Sequence, residues 1–283
     1  MVERRTTAGI LAHAILILGV LIVAFPVYVT FVASTHTALE MVQRPIPMLP
    51  GSHLVDNYVA ALQGGTGSGG SSASVGRMMV VSLVTALTIA IGKIAISLLS
   101  AFALVYFRFP FKQFFFWAIF VTLMLPVEVR IGPTYKVVAD LGMLDSYAGL
   151  TIPLIASATA TFLFRQFFLT VPEELCEAAR IDGASPLHFF RHVLLPLSMS
   201  NMVALSIILF LYGWNQYLWP LLFTTEKDMA TAVIGLKHLI PQSDAEPAWN
   251  VAMNAALLVM LPPALVVVAL QRWLVKGLVD SGK

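Results

Sequence analysis

Charge is scarce in this chain. Of its 283 residues only 11% are Asp, Glu, Lys or Arg, where a soluble domain carries about a quarter, while 58% are hydrophobic. That balance excludes an ordinary soluble globular protein and points to one built for lipid. Cysteine is nearly absent: Cys176 stands alone, so no intramolecular disulfide can form, and a free thiol is expected. Metal-ligand clusters are missing as well. His188 and His192 lie four apart and share a helical face, but no further ligands lie nearby to complete a site. The glycine run "GGTGSGGSSAS" at residues 64–74 is not followed by Lys-Ser or Lys-Thr, so it is no phosphate cradle. The chain therefore has no ATPase site of its own and needs no cofactor, and a formal net charge of +2 gives no reason to expect nucleic acid.

What is present is a succession of long apolar runs. Crossing about 30 Å of hydrocarbon takes roughly 20 helical residues, and runs of that order lie near 10–33, 76–106, 114–129, 146–168, 199–223 and 249–273. The pattern predicts an all-α, polytopic membrane protein with six transmembrane helices in a single transmembrane domain spanning 1–283. The first run is too long for a leader and lacks a small-residue cleavage site, which predicts a retained helix. With the N-terminus inside, the inner segments hold ten basic residues (Arg4, Arg5, Arg108, Lys112, Arg165, Arg180, Arg191, Arg272, Lys276 and Lys283) and the outer ones six (Arg44, Arg77, Arg130, Lys136, Lys227 and Lys237). The positive-inside rule then places both termini in the cytoplasm. The outer connection 34–75 reads as an extended Pro segment, "RPIPMLPG", followed by a flexible Gly/Ser linker.

The inner segment 172–196 interrupts the oily pattern. In "TVPEELCEAARIDGASPLHFFRHVLLP", Thr170 and Glu173 have capping-box spacing, and a helix is expected from about Pro172 to Ile181. Gly183 sits where that helix would end in the left-handed conformation. Ser185 and Pro186 would then open a second short helix, and Pro196 leads into the next span. Ala178, Ala179 and Ala184 would let another protein approach the backbone. An amphipathic helix lying on the membrane would explain Phe189 and Phe190, but not the remaining pattern.

The order Glu-Ala-Ala, Asp-Gly-Ala, Phe, Leu-Pro resembles the EAA loop of permease subunits of bacterial ATP-binding-cassette importers. There the loop is the cytoplasmic element that inserts into a cleft of the ATPase. Position by position, Glu177, Ala178 and Ala179 match the triplet, Asp182 and Gly183 the turn, and Leu195 and Pro196 the exit. Many relatives have a proline four residues after Pro196, where this chain has Ser200. "RFPFK", "GWNQYLWPLL" and "QRWLVKGLVDSGK" are similar to the six-span permeases of the carbohydrate-uptake branch. "LMLPVEVRI", "LDSYAGLT" and "ASATATFLFRQFF" resemble the members that import sn-glycerol-3-phosphate. The resemblance implies a second permease subunit, two cytoplasmic ATPases, an extracytoplasmic binding protein and a place in the bacterial inner membrane. It further implies ATP-driven import of sn-glycerol-3-phosphate or its diesters, with a neutral sugar or oligosaccharide as the alternative. An ion-coupled secondary transporter would need carboxylates within its spans and an internal repeat, neither of which the sequence offers apart from Glu128 near the end of one run, and a membrane scaffold is the remaining rival.

Five residues are candidates for the pathway. A charge within the bilayer costs about 2.5–3.5 kcal/mol on insertion scales, and Lys93 lies near the middle of the second run. It either lends positive charge to an anionic substrate or pairs with a carboxylate or carbonyl elsewhere in the assembly as structural glue. Arg130 could grip phosphate or anchor at headgroups, with Glu128 holding Arg130 or Lys93 in place, and the nearby prolines make a regular helix there unlikely from sequence. Asn215 and Gln216, flanked by Trp214, Tyr217 and Trp219, suit either substrate hydroxyls or interhelical hydrogen bonds with an interfacial aromatic belt.

Overall fold

The computed structural model describes residues 6–43, 45–63, 74–122, 125–239 and 248–280. Among these the chain is all-helical, without a strand. The helices are α1 (Thr6–Ser34), α2 (Ala38–Val42), α3 (Leu54–Gln63), α4 (Val75–Tyr106), α5 (Lys112–Val121) and α6 (Val127–Asp140). They continue with α7 (Tyr147–Thr151), α8 (Ala158–Thr170), α9 (Glu173–Ile181), α10 (Pro186–Phe189), α11 (Leu195–Leu197) and α12 (Met199–Trp214). The last three are α13 (Leu218–Phe223), α14 (Ala232–His238) and α15 (Trp249–Asp280).

Three stretches are long and apolar enough to cross a membrane unbroken: Gly9–Ser34, Val75–Tyr106 and Trp249–Trp273. They coincide with the first, second and sixth runs. Two more qualify only as bent pairs, Tyr147–Leu154 with Ala158–Thr170 at 45° and Pro186–Leu197 with Met199–Trp214 at 72°. Length and composition thus give three crossings, or five with each bent pair counted as one. The expected run 114–129 is divided: α5 has only ten residues, and Pro126 caps a separate helix. Contrary to the sequence expectation, Glu128 and Arg130 sit in the first turn of that regular helix, which accommodates Pro133 internally. The run 199–223 also breaks, after Trp214, and restarts at Leu218.

The chain divides into two compact units, residues 1–77 with 235–261 and residues 78–234 with 262–283. In the first, the connection that follows α1 is more structured than its composition promised. Thr37 caps α2 through a reciprocal capping box with Glu40, whose carboxylate also meets His36 Nδ1 at 3.1 Å. The Gly/Ser linker reading for 64–73 lies outside the described residues. Asn254, fully buried, donates to the Ser34 carbonyl at 3.1 Å, and Asn57 donates to the same carbonyl at 3.0 Å. These amides supply donors to a carbonyl at the C-terminal end of α1, where the helix leaves such groups unpaired.

In the second unit a buried cluster of Val81, Ile89, Val138, Leu150, Leu154, Trp219 and Phe223 forms the centre. Trp219 stacks on Phe223 with centroids 3.9 Å apart and donates to the Gly149 carbonyl at 3.2 Å. Trp214 is equally buried, at 1% exposure. These indoles are core residues, which corrects the aromatic-belt reading. Asp145 fixes the same end of this unit. Its backbone is left-handed at φ 52°, a conformation that Asp and Asn tolerate better than most residues. Its carboxylate accepts from the Thr225 hydroxyl at 2.7 Å and the Glu226 N–H at 2.8 Å, as well as from the Thr225 N–H. Partial burial pushes the Asp145 carboxyl up, but the hydrogen bonds from Glu226 and Thr225 outweigh it and hold the group below its ordinary value.

A carboxyl whose pKa is lowered by folding stabilises the protein above its unfolded value and loses that contribution as pH falls through the folded one. Asp145→Ala should lose about 1–3 kcal/mol in thermal unfolding of the detergent-solubilised chain at neutral pH. Asp145→Asn, which keeps the left-handed preference, should lose less and should remove this acid-side dependence. Equal melting temperatures for the wild type and Asp145→Ala would mean that the clamp carries no stability.

Candidate functional site

Lys93 lies within α4 at 7% exposure, and its Nζ stands 3.6 Å from the centroid of the Tyr212 ring on α12. Among the described residues no carboxylate comes within ion-pair distance and no hydrogen bond reaches the ammonium, so a structural-glue partner would have to come from another subunit of the assembly. Arg130 is the charged group whose field acts on Lys93, and both Arg130 and Glu128 act electrostatically on Tyr212. Glu128 pairs with neither cation among the described residues, contrary to its expected holding role, and both residues of this α6 pair are exposed.

Two close approaches place the lysine. A methyl group on Gly213 would lie 2.9 Å from Ala86 Cα, so α12 rides directly on the backbone of α4. Ala86 and Lys93 are seven residues apart and share a helix face, which sets the residue beside Gly213, Tyr212, over the lysine. On the other side, a methyl on Gly92 would come within 2.7 Å of Ile155 Cγ2. Gln216 Nε2 donates to the Tyr212 carbonyl at 3.1 Å, tying the helix break to the last turn of α12 rather than to another helix. Asn215 is exposed, and its N–H continues the helix to Leu211 at 3.0 Å. The structure therefore gathers Lys93, Gln216 and the field of Arg130 around Tyr212 and leaves Asn215 at the rim. Tyr212 itself was missed from sequence. Its one signal was adjacency to a glycine within an otherwise bulky span.

The second group of candidates forms a hairpin. Helix α9 begins after Pro172, which makes no side-chain cap. Thr170 instead bonds the Phe167 carbonyl at 2.7 Å as the last residue of α8, so the expected capping box does not form. The far end follows the expectation closely. Gly183 is left-handed at φ 70°, its N–H reaches the Arg180 carbonyl at 3.1 Å, and the Ala184 N–H reaches the Ala179 carbonyl at 2.9 Å. This double closure is a Schellman motif. Ser185 then accepts from the His188 N–H at 3.3 Å, with Pro186 opening α10.

Glu177, Ala178, Asp182 and Pro196 are exposed, while Ala179, Ala184 and Leu195 are half-buried. Ala179 and Ala184 line a groove against the end of α4, together with Tyr106, Arg108 and half-buried Cys176. Phe189 and Phe190 are buried at 4% and 7% exposure, packing on Tyr106 (5.4 Å) and Phe102 (4.9 Å). Their burial in protein disposes of a helix lying on lipid. His188 and His192 stack at 4.0 Å, and no group of three metal-ligating side chains occurs among the described residues.

Comparison with known proteins bears on both groups. Residues 93–280 match the family described as binding-protein-dependent transport system inner membrane component. The chain belongs to this family. Over all 283 residues, and the full length of both chains, it is 58% identical to the sn-glycerol-3-phosphate transport system permease protein UgpE of Brucella melitensis and of Agrobacterium fabrum. The Rhizobium meliloti protein of the same name is 56% identical over the same length. A solved structure of a bacterial ABC transporter involved in import of the acidic polysaccharide alginate aligns at a TM-score of 0.80, covering 96% of this chain and 98% of its own, with 18% identity. That likeness concerns the fold alone. The chain is thus a multi-pass inner-membrane permease, a transport component and not an enzyme.

The match begins at Lys93 and takes in Glu128, Arg130, the whole hairpin, Asn215 and Gln216. The helix contact that organises the first group can be tested directly. Gly213→Val should cost about 1–3 kcal/mol by overpacking, read as a lowered melting temperature of the purified chain. Gly132→Ala, on an open face of α6, should leave stability unchanged or slightly raise it. Equal effects at the two positions would show that the α4–α12 contact tolerates separation.

Proposed function

We propose that this chain is the permease subunit of an ATP-driven importer that moves sn-glycerol-3-phosphate, or its diesters, into the cytoplasm by alternating access. The observation that carries the reading is Lys93, a buried cation without a carboxylate, joined by the field of Arg130. A buried cation with no carboxylate beside it is costly for a route carrying neutral sugars and favourable for one carrying a phosphate ester. The names of relatives more than half identical along the full length support the same substrate class.

In this reading the chain forms one permease domain with six crossings, α5 and α6 together making the third, and both termini in the cytoplasm. It pairs with a second, different permease. A binding protein delivers substrate from outside, and two ATPases bind the inner loops of the permease pair, with Glu177, Ala178 and Asp182 at the contact on this chain's hairpin. Gly183 sets the angle between α9 and α10, so closure of the ATPases drives the hairpin as a lever. Phe189 and Phe190 pass the movement to α4. Asn215 and Gln216 border the route at the break between α12 and α13.

The first experiment is uptake of labelled sn-glycerol-3-phosphate into vesicles carrying the complete complex, with and without ATP on the ATPase side and with unlabelled maltose as competitor. Uptake should require ATP and ignore maltose, and Lys93→Ala should reduce it about tenfold or more, as expected for a charged contact. ATP-dependent uptake of maltose alone would sink the phosphate assignment, and ATP-independent uptake would return the chain to the secondary transporters.

Gly183 gives a separate test of the lever. Within the chain no atom lies within 4 Å of a methyl built there, so a substitution strains the left-handed backbone and leaves the chain's own packing untouched. Gly183→Val should insert and assemble normally yet lose ATP-coupled transport, while Gly183→Asn should retain a measurable part because Asn tolerates the left-handed region. Normal transport by Gly183→Val would overturn the lever assignment.

A further inference from the structure

The ammonium of Lys93 faces an aromatic ring where an acid would be expected. This distinction matters for an anion route. A carboxylate partner would cancel the charge and compete with substrate, whereas a ring stabilises the cation by its quadrupole and leaves the net charge in place. An ammonium has three donors and no acceptor. A ring face engages one side of it, and oxygen acceptors of a phosphate can take the remaining donors.

We infer that Tyr212 is a positioning residue for the transported anion: its ring holds the Lys93 ammonium charged and in place within the membrane, so that Lys93 can receive a phosphate ester. This rests on the reading of Lys93 as a pathway residue. Three observations carry it independently of the relatives' names. The ring lies 3.6 Å from Nζ. The tyrosine is fixed from both sides, by Gly213 pressed on Ala86 and by the Gln216 amide on its own carbonyl. Arg130 adds to the positive field at Lys93, and no carboxylate among the described residues lies within ion-pair distance of Nζ, so the ring is the attractive group beside the ammonium. The ring face, not the hydroxyl, is the working part, and Tyr212 acts through Lys93 without needing to touch the substrate.

The test is a double-mutant cycle in vesicles holding the complete complex, with binding protein outside and ATP on the ATPase side, reading initial uptake of labelled sn-glycerol-3-phosphate at low concentration. Tyr212→Leu, which keeps bulk but removes the ring face, should lower uptake about two- to thirty-fold. Tyr212→Phe should stay within about twofold of wild type, since Phe offers the same kind of ring face. The pair Lys93→Ala with Tyr212→Leu should be no worse than Lys93→Ala alone. Assembly yield and melting temperature of each complex guard against misfolding.

Losses that multiply in the double variant would make Tyr212 a packing residue and overturn the inference. So would a Tyr212→Phe variant as poor as Tyr212→Leu, or a Tyr212→Leu variant that matches wild type. If wild-type vesicles take up no sn-glycerol-3-phosphate with ATP, the functional reading itself fails. If they do and Lys93→Ala is impaired while Tyr212→Leu is not, only the role of Tyr212 falls.

Discussion

Everything distinctive about the second unit follows from how closely α12 lies on α4. In a membrane there is no hydrophobic drive to bring apolar helices together, so close packing and small residues must do it. Gly213 supplies the small residue and Ala86 the surface. Two turns along α4 the same face presents Lys93, and the neighbour of Gly213 presents the ring that faces it. The helix contact and the buried charge are therefore one arrangement: separating the helices would leave an ammonium in the interior with no partner at all, and that cost restricts which substitutions at the contact can be borne.

Several other polar groups of the same unit are satisfied locally. Trp219 donates to Gly149, Ser82 accepts from the Ala232 N–H at 2.8 Å, and Asp145 gathers the turn at Thr225 and Glu226. The hydroxyls of Thr85 and Thr231 are buried without a hydrogen bond, and Lys93 is the buried charge without a hydrogen bond or ion pair among the described residues, which makes it the candidate site. A buried group that satisfies itself needs no ligand, whereas one held by a ring face still has donors to offer.

Much of the hairpin was legible in the sequence because its geometry is local. Gly183, Ser185 and Pro186 each act within a few residues of themselves, so spacing alone locates the turn and the second helix. The Thr170 box failed for a reason that is also local: α8 runs on through Thr170, and the hydroxyl turns back to Phe167. The unbroken spans were equally readable, since their lengths are set by the membrane. The broken ones were not. Composition records that 114–129 and 199–223 are apolar but not that Pro126 starts a new helix or that Asn215 to Tyr217 interrupts one. Tyr212 was invisible because its meaning depends on a partner 119 residues away, a relation that no spacing rule reports. Trp214 and Trp219 misled for the complementary reason, as interfacial and core tryptophans look alike until burial is known.

The two groups of candidate residues are also joined mechanically. Phe189 and Phe190 grip α4 at Tyr106 and Phe102, and Phe102 stands nine residues, about 14 Å along a helix, from Lys93. The chain leaves the same hairpin through a π-helical turn at Phe190–Leu194 and a 72° bend at Ser198 before becoming α12, with the Ser198 hydroxyl bonded to the Leu194 carbonyl at 2.6 Å. A displacement of the hairpin therefore enters α4 through packed rings and enters α12 through a bend. Rings interlocked in a close-packed interior transmit a push as a rigid body, while a bend of that size at a single residue, beside a stretch of π-helix, is where rotation is absorbed. Unequal transmission changes the angle between α4 and α12, and the place where those helices are held together is the contact that sets Tyr212 against Lys93.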